Sequence, residues 1–410
     1  MLIQKAFQYE LRPDGVTRRA FSRFAGAKRF VWNRALGQPK WLGRFKMNPI
    51  LKSWKQELPW LYEIHSQVLQ SAIVDLDTAF QKFFKKEAEH PVPKLKGKCQ
   101  DTFRFPQGFK IEEGNRRLYL PKIGWVRYRN SRALRGVAKN ITISRRGDKW
   151  FASIQTEFEV EEPIHPSTSS MGIDLGVVRF ATLSDETFVE PLNALKKQQA
   201  KLKKLQQSVS RKKKRSQNWK KAKAKVAKLH QAVANSRKDF LHKLTTEQTK
   251  THSLILIEDL KVANMSRSAS GTLDEPGKMV KQKSGLNKSI LDQGWSEYRR
   301  QLEYKMKWRG GEVIAVPAMN TSRRCPACDH ISKDNRKSQA SFLCVECGFA
   351  ANADLVGAVN IKRSGLRQIE GQDTADASAG RVSAAQIACE VNREVSGQQQ
   401  EPAKMTAKAA

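Results

Sequence analysis

Two Cys-x-x-Cys knuckles, Cys325-Pro326-Ala327-Cys328 and Cys344-Val345-Glu346-Cys347, separated by fifteen residues, constrain this chain more than any other stretch. Each knuckle turns two sulfurs toward one point, and the intervening loop lets the pairs meet around a tetrahedral Zn²⁺. Four cysteine ligands leave no coordination position for water, so one structural zinc is expected and the chemistry must come from elsewhere. Two disulfides or free buried thiols are the alternatives. Against them, the other cysteines, Cys99 and Cys389, stand alone, and Met1-Leu2-Ile3-Gln4-Lys5 lacks the apolar core of a secretory signal. Reduced, metal-suited cysteines point to a cytosol or nucleoid.

Charge narrows the partner. In 410 residues, 75 Lys and Arg face 40 Asp and Glu, a formal net charge of +35. Such an excess implies a polyanion, and counterion release makes nucleic acid the default. An anionic membrane is the rival, but no apolar run approaches the roughly 18–20 residues of a spanning helix. At this length two or three domains are expected, each with its own core.

Hydrophobic periodicity gives the organisation. Residues 2 to 9 alternate as a strand, with Ile3, Phe7 and Tyr9 on one face. Asp14 is placed to cap a helix bearing Phe21, Phe24, Val31 and Leu36, and a second helix runs from Ser66 with Leu69, Ile73, Leu76, Phe80 and Phe83. From about 92 the texture becomes short alternating strands at Leu118–Leu120, Trp125–Tyr128, Ile141–Ser144 and Trp150–Val160, with a hairpin turn at Arg145–Asp148. This predicts a small all-β, barrel-like module that the first strand joins. A basic helical hairpin follows over 195–245, with Arg211, Lys212, Lys213, Lys214 and Arg215 at its bend, read as phosphate contacts against the alternative of a solvated turn. Residues 264–288, rich in Ser, Gly and Lys, read as a flexible loop, and a helix carrying Leu291, Trp295, Tyr298, Leu302 and Met306 stops at Gly310-Gly311. Residues 366–410 are poor in large apolar side chains and read as a disordered tail.

Three acids sit on predicted core elements. Asp174 lies in the apolar strand Met171–Gly176, with Arg179–Leu183 as its antiparallel partner. Glu258 ends the buried run Ser253–Ile257, and Asp354 opens a helix capped by Asn352, with Leu355, Ala358 and Val359 packing behind. Hard cations such as Mg²⁺ or Mn²⁺ take oxygen ligands, and a pair of ions roughly 3.5–4 Å apart suits phosphodiester chemistry. On spacing alone the acids are equally readable as ordinary strand-end residues.

The chain resembles the TnpB proteins of small bacterial insertion sequences, relatives of type V CRISPR effectors. The resemblance runs from the first helix to about residue 363. It rests on Arg29-Phe30-Val31-Trp32-Asn33, Gly172-Ile173-Asp174-Leu175-Gly176, Lys225–Leu244, Ile257-Glu258-Asp259-Leu260, Asn320-Thr321-Ser322 leading into Cys325, and Asn352-Ala353-Asp354 through Asn360-Ile361. It implies a multidomain α/β plus all-β architecture, in which an RNase H-like (RuvC) nuclease core carries an inserted zinc ribbon. The expected parts are a wedge-type β-barrel at 1–12 and 92–165, a helical recognition domain at 13–91, a RuvC-like core at 171–320, a zinc ribbon at 321–350 and a last RuvC segment at 351–365. It further implies that Asp174, Glu258 and Asp354 hold two Mg²⁺ or Mn²⁺, and that a guide RNA from the transposon end directs cleavage of double-stranded DNA beside a short adjacent motif. Monomer and dimer both stay open, as do two other functions, a nuclease-inactive guided repressor and a transposase or accessory DNA-binding protein. Where many members continue with Asn-Ala-Ala after the last Asp, this chain has Leu355-Val356-Gly357, so a difference in helix packing is expected there.

Overall fold

The computed structural model describes residues 1–272 and 275–373 and divides into two compact units, Met1–Glu161 and the chain from Glu162 onward. The first unit runs β1 (Leu2–Leu11), α1 (Gly15–Leu36), α2 (Gly43–Glu57), α3 (Ser66–Phe84), β2 (Thr102–Phe105), β3 (Lys110–Glu112), β4 (Arg117–Leu120), β5 (Gly124–Arg127), β6 (Val137–Arg146) and β7 (Lys149–Glu159). β1 pairs with β7 over its whole length, Leu2 opposite Glu159 and Leu11 opposite Trp150, in an antiparallel sheet of order β1-β7-β6-β2. β3, β4 and β5 form a separate three-stranded sheet, bridged to β1 at Leu11↔Tyr128. The expected barrel strands are therefore arranged as two sheets.

Alternation along β1 buries Ile3, Phe7, Tyr9 and Leu11, and Asp14 caps α1 by accepting a hydrogen bond from the Thr17 amide at 2.7 Å. Phe21 and Phe24 of α1 pack at a tilt against Phe103 of β2, with ring centroids at 5.7 and 5.4 Å, and Phe21 meets Trp150 of β7 edge-on at 5.0 Å. The helical segment 13–91 thus shares one hydrophobic core and one compact unit with the strands. The Arg29–Asn33 stretch is structural: Arg29 pairs with Asp101, the Trp32 indole donates to the Val92 carbonyl at 3.1 Å, and Asn33 exchanges two hydrogen bonds with the Lys94 backbone.

The second unit contains β8 (Ser170–Leu175), β9 (Ala181–Leu183), β10 (Phe188–Val189), α4 (Ala194–Ser210), α5 (Gln217–Thr251), β11 (Leu254–Glu258), α6 (Val262–Met265), α7 (Val280–Gln293), α8 (Trp295–Lys307), β12 (Glu312–Val316), β13 (Ser341–Leu343), β14 (Ala350–Asn352) and α9 (Ala353–Asp373). Its main sheet has the order β10-β9-β8-β11-β12, with β8, β11 and β12 parallel and β9 and β10 antiparallel to their neighbours. Strand alternation divides the sheet into two covered faces. Met171, Ile173, Ile255 and Ile257 pack against Leu241 of α5 and Tyr298, Leu302 and Met306 of α8. Leu254, Leu256 and Val316 pack against Ile361 and Leu366 of α9.

Three expectations change. The 264–288 stretch is not wholly loop, because α7 begins at Val280 and buries Ile290. The helix expected to run from Leu291 is two helices broken at Gly294, whose φ of +79° turns the chain and leaves Leu291 exposed. The tail does not start at 366: α9 continues to Asp373, because Leu366 and Ile369 pack on Leu256 and Val316. Residues 374–410 lie outside the described residues. Among the described residues no helix is long and apolar enough to cross a membrane.

Candidate active site and metal centre

Asp174 shares strand parity with Gly172, and Glu258 with Leu254 and Leu256, so both acids project toward α9. The parallel register Leu256↔Gly172 and Ile257↔Ile173 places Glu258 beside Asp174 one step further on, on adjacent strands about 4.8 Å apart. Asp354 comes from the first turn of α9, where the Asn352 side chain accepts hydrogen bonds from the Asp354 and Leu355 amides at 3.0 and 3.4 Å, as its capping role predicts. Behind it Val356, Gly357 and Ala358 are the buried residues, whereas Leu355 and Val359 are half-buried.

Small residues set how closely α9 can lie on the sheet. A methyl group on Gly172 would run into the Ala358 carbonyl and come within 2.8 Å of Lys362 Cβ. One on Gly357 would stand 3.0 Å from Asp174 Oδ2, and one on Gly365 would strike the Leu256 side chain. Helix and strand therefore meet backbone to backbone, which brings Asp354 down to the strand acids.

The electrostatics follow from this crowding. Burial first, then repulsion from Glu258 and Asp354, push the Asp174 carboxyl up to about 7, with Arg336 acting in the opposite direction. Burial also raises Glu258, against the hydrogen bond from Thr321 and the charge of Arg336. Sequence reasoning missed these two partners and a third. The Thr321 hydroxyl donates to Glu258 Oε1 at 2.6 Å, and Arg336 Nη2 lies 3.3 Å from Asp354 Oδ1. Buried Asn360 donates to the Thr321 and Arg324 carbonyls at 2.7 and 2.8 Å, fixing the loop that carries Thr321. The signal was present: Thr321 and Asn360 both lie in the stretches Asn320–Ser322 and Asn352–Ile361 that carry the family resemblance. Clustered like charges with hard oxygen donors are the chemistry of a divalent-cation site. Here Glu258 is turned to Thr321 and Asp354 to Arg336, and the three acids do not converge as tightly as the cysteines, which alone among the described residues form a group close enough to share one ion.

The cysteines do converge. The four sulfurs lie within 4.8 Å of one another, with Cys325–Cys347 and Cys328–Cys344 at 3.6 Å. Sulfurs at about 2.3 Å from a tetrahedral zinc are about 3.8 Å apart, so the quartet fits the ion. Burial opposes ionisation of Cys344, but the amides of Cys347 and Glu346 together with the Cys328 and Cys347 thiols hold it below its ordinary value. Arg211–Arg215 occupy the turn between α4 and α5, exposed except for half-buried Lys212. That turn lies at the far end of α4, about 25 Å of helix from its start, and the hairpin extends beyond the expected limit of 245 to Thr251.

Comparison with known proteins then decides the family. Over 371 residues the chain is 52% identical to InsQ of Escherichia coli K12, whose name ascribes to it RNA-guided DNA endonuclease activity; the match covers 88% of this chain and 92% of that one. The chain belongs to the TnpB family. A similarly named Streptomyces pristinaespiralis protein is 30% identical over 379 residues, covering 89% of this chain and 90% of that protein. Family models described as probable transposase and as the Cas12f1-like TNB domain match residues 153–269 and 295–361. A third, described as a helix-turn-helix domain, matches residues 1–42, where this TnpB-family chain has one strand, β1, and one helix, α1. Among solved structures, Cas12f1 in its complex with sgRNA and target DNA aligns with a TM-score of 0.51 at 12% identity, covering 88% of this chain and 99% of that one, a likeness of fold.

Proposed function

We propose that this chain is an RNA-guided DNA endonuclease of the bacterial cytoplasm, with Asp174, Glu258 and Asp354 as its catalytic acids. The observation that carries the reading is that three acids from β8, β11 and α9 repel one another on one face of a sheet of order β10-β9-β8-β11-β12, an arrangement that supports an RNase H-like, RuvC-type core. Two Mg²⁺ or Mn²⁺ ions held by these acids would lower the pKa of the attacking water and neutralise charge on the leaving oxygen. The chain's own residues prepare the site. Thr321 orients Glu258, Arg336 sets a guanidinium beside Asp354, and Gly172 with Gly357 lets α9 deliver Asp354. The cysteine quartet, holding one zinc, would keep the ribbon folded so that Arg336 reaches the acids.

The remaining parts have proposed roles. The two-sheet module with its helices acts as the wedge and recognition part, and the Arg211–Arg215 turn contacts nucleic-acid phosphate. A guide RNA from the transposon end supplies target sequence by base pairing, while the protein reads a short adjacent motif on double-stranded DNA. The test is incubation of protein, guide RNA and target DNA with Mg²⁺. Free cut ends are expected from the native protein, and Asp174→Ala should abolish cutting while guide-dependent DNA binding persists. Native cutting rates in Asp174→Ala would refute the assignment of the acids; joined DNA products would favour a transposase.

A further inference from the structure

The three-stranded sheet of β3, β4 and β5 has one face in the core and one in water. Leu118, Leu120 and Val126 are buried, with Ile111 packed beside them. Alternation sends Lys110, Glu112, Arg117, Tyr119, Trp125 and Arg127 to the other face. The register places them in two cross-strand rows: Lys110, Tyr119 and Trp125 in one, Glu112, Arg117 and Arg127 in the next. Trp125 is 41% exposed although the core lies one residue away on the same strand. Its ring meets Tyr119 edge-on at 5.5 Å, and the Arg117 guanidinium lies over one of its faces, 4.6 Å from the centroid. Glu112, the face's single acid, is tied to Arg117 at 2.6 Å and Asn115 at 2.9 Å, so the surface presents an excess of positive charge around two aromatic rings.

We propose that this face is a stacking platform for unpaired bases of RNA, with Trp125 and Tyr119 taking base faces and Lys110 and Arg127 taking the adjoining phosphates. Flat rings flanked by cations suit single strands, because bases inside a duplex are already stacked on one another. The choice of RNA rests on the guided reading above: the DNA target arrives as a duplex, whereas the guide offers unpaired nucleotides before any target is bound. A cross-strand aromatic pair can also simply stabilise a small sheet, so the test separates binding from folding.

The probe is a short fluorescent oligoadenylate RNA, compared by anisotropy on the full chain with the same sequence as single-stranded DNA and with an RNA duplex. Trp125→Ala should weaken single-stranded RNA binding by about 5- to 150-fold, the range for one lost stacked base, without changing the salt slope or duplex binding. Trp125→Phe, which keeps a ring, should stay near native affinity, and Arg127→Gln should instead flatten the slope by about 0.7. Thermal melts report whether each variant is folded. Should Trp125→Ala fail to fold, photocrosslinking of iodouridine RNA to the native chain must map to Trp125 or Tyr119. Unchanged RNA affinity in a folded Trp125→Ala chain, or crosslinks that fall elsewhere, would overturn the platform. An equal or larger effect on single-stranded DNA would overturn the choice of RNA. A chain that fails to cut guided targets but shows the Trp125-dependent RNA affinity would refute the nuclease reading and leave the platform standing.

Discussion

Gly172→Ala is the sharpest perturbation of the proposed active site that touches none of the three acids. The added methyl would stand 2.8 Å from Lys362 Cβ and 2.9 Å from Lys362 N, where ordinary contact begins at 3.4 Å, besides colliding with the Ala358 carbonyl. α9 must therefore withdraw by more than the roughly 0.6 Å that Lys362 Cβ alone demands, since the Ala358 carbonyl is closer still and two of the three obstacles are backbone atoms that no rotamer change can clear. Overpacking of this kind costs about 1–3 kcal/mol, and a displacement approaching 1 Å in a catalytic constellation costs on the order of 10²-fold in rate. The expected result is a folded chain that melts several degrees lower and cuts guided DNA about two orders of magnitude more slowly. Guide-dependent DNA binding should hold. Gly285→Ala in α7 is the matched control: nothing lies within 4 Å of its added methyl, and a helix-interior alanine should be neutral or stabilising. Native cutting rates in Gly172→Ala would show that α9 does not need to lie this close, and would refute the argument that glycines place Asp354.

Cys347→Ser should lower bound zinc from about one per chain and reduce stability together, because metal binding and ribbon folding are one equilibrium; elemental analysis and melting curves check it. Asp174 has a folded-state pKa raised to about 7 from an ordinary 3.8, so the stability it contributes is fully present below about pH 4 and is lost as pH rises toward 7. Asp174→Asn should therefore stabilise the metal-free chain above neutrality, by up to about 4 kcal/mol, with no gain near pH 4; a gain independent of pH would refute this. Truncation after Gly365 should cost about 2–5 kcal/mol for each large apolar side chain taken from the core, Leu366 foremost, as read by thermal melts; an unchanged melting point would show that the end of α9 adds no stability.

What could be read without coordinates was what local pattern determines. The alternation of β1, the Asp14 cap, the stripe Leu69–Ile73–Leu76 and the two knuckles each depend on residues a few positions apart, and each has its predicted counterpart. α2 escaped because Pro49 sits inside it and its apolar stripe is short, three buried residues at Met47, Leu51 and Trp54. α7 escaped because a lysine- and serine-rich surface hides the anchor Ile290. Arg336 escaped for a different reason: it lies in the loop between the knuckles, and nothing local to it indicates Asp354, eighteen residues further on. That approach exists once the quartet closes and β13 pairs with β14.

The departure at Leu355-Val356-Gly357 shows how a local deviation acquires meaning from the fold. On sequence it read as a change in helix packing. In the structure Gly357 is the α9 residue that faces Asp174, and a Cβ there would stand 3.0 Å from Oδ2, tighter than ordinary contact. Gly172 on the strand and Gly357 on the helix thus relieve one crossing from its two sides, the first clearing the Ala358 carbonyl and the second clearing the carboxylate. The same closeness half-buries Asp174 and concentrates negative charge around it, which is why its carboxyl is raised toward neutral pH. A site built this way is costly to ionise until a cation arrives. If the acids hold metal as proposed, affinity should rise with pH as the Asp174 proton is displaced, so the glycines that shape the packing would also set the conditions for that binding.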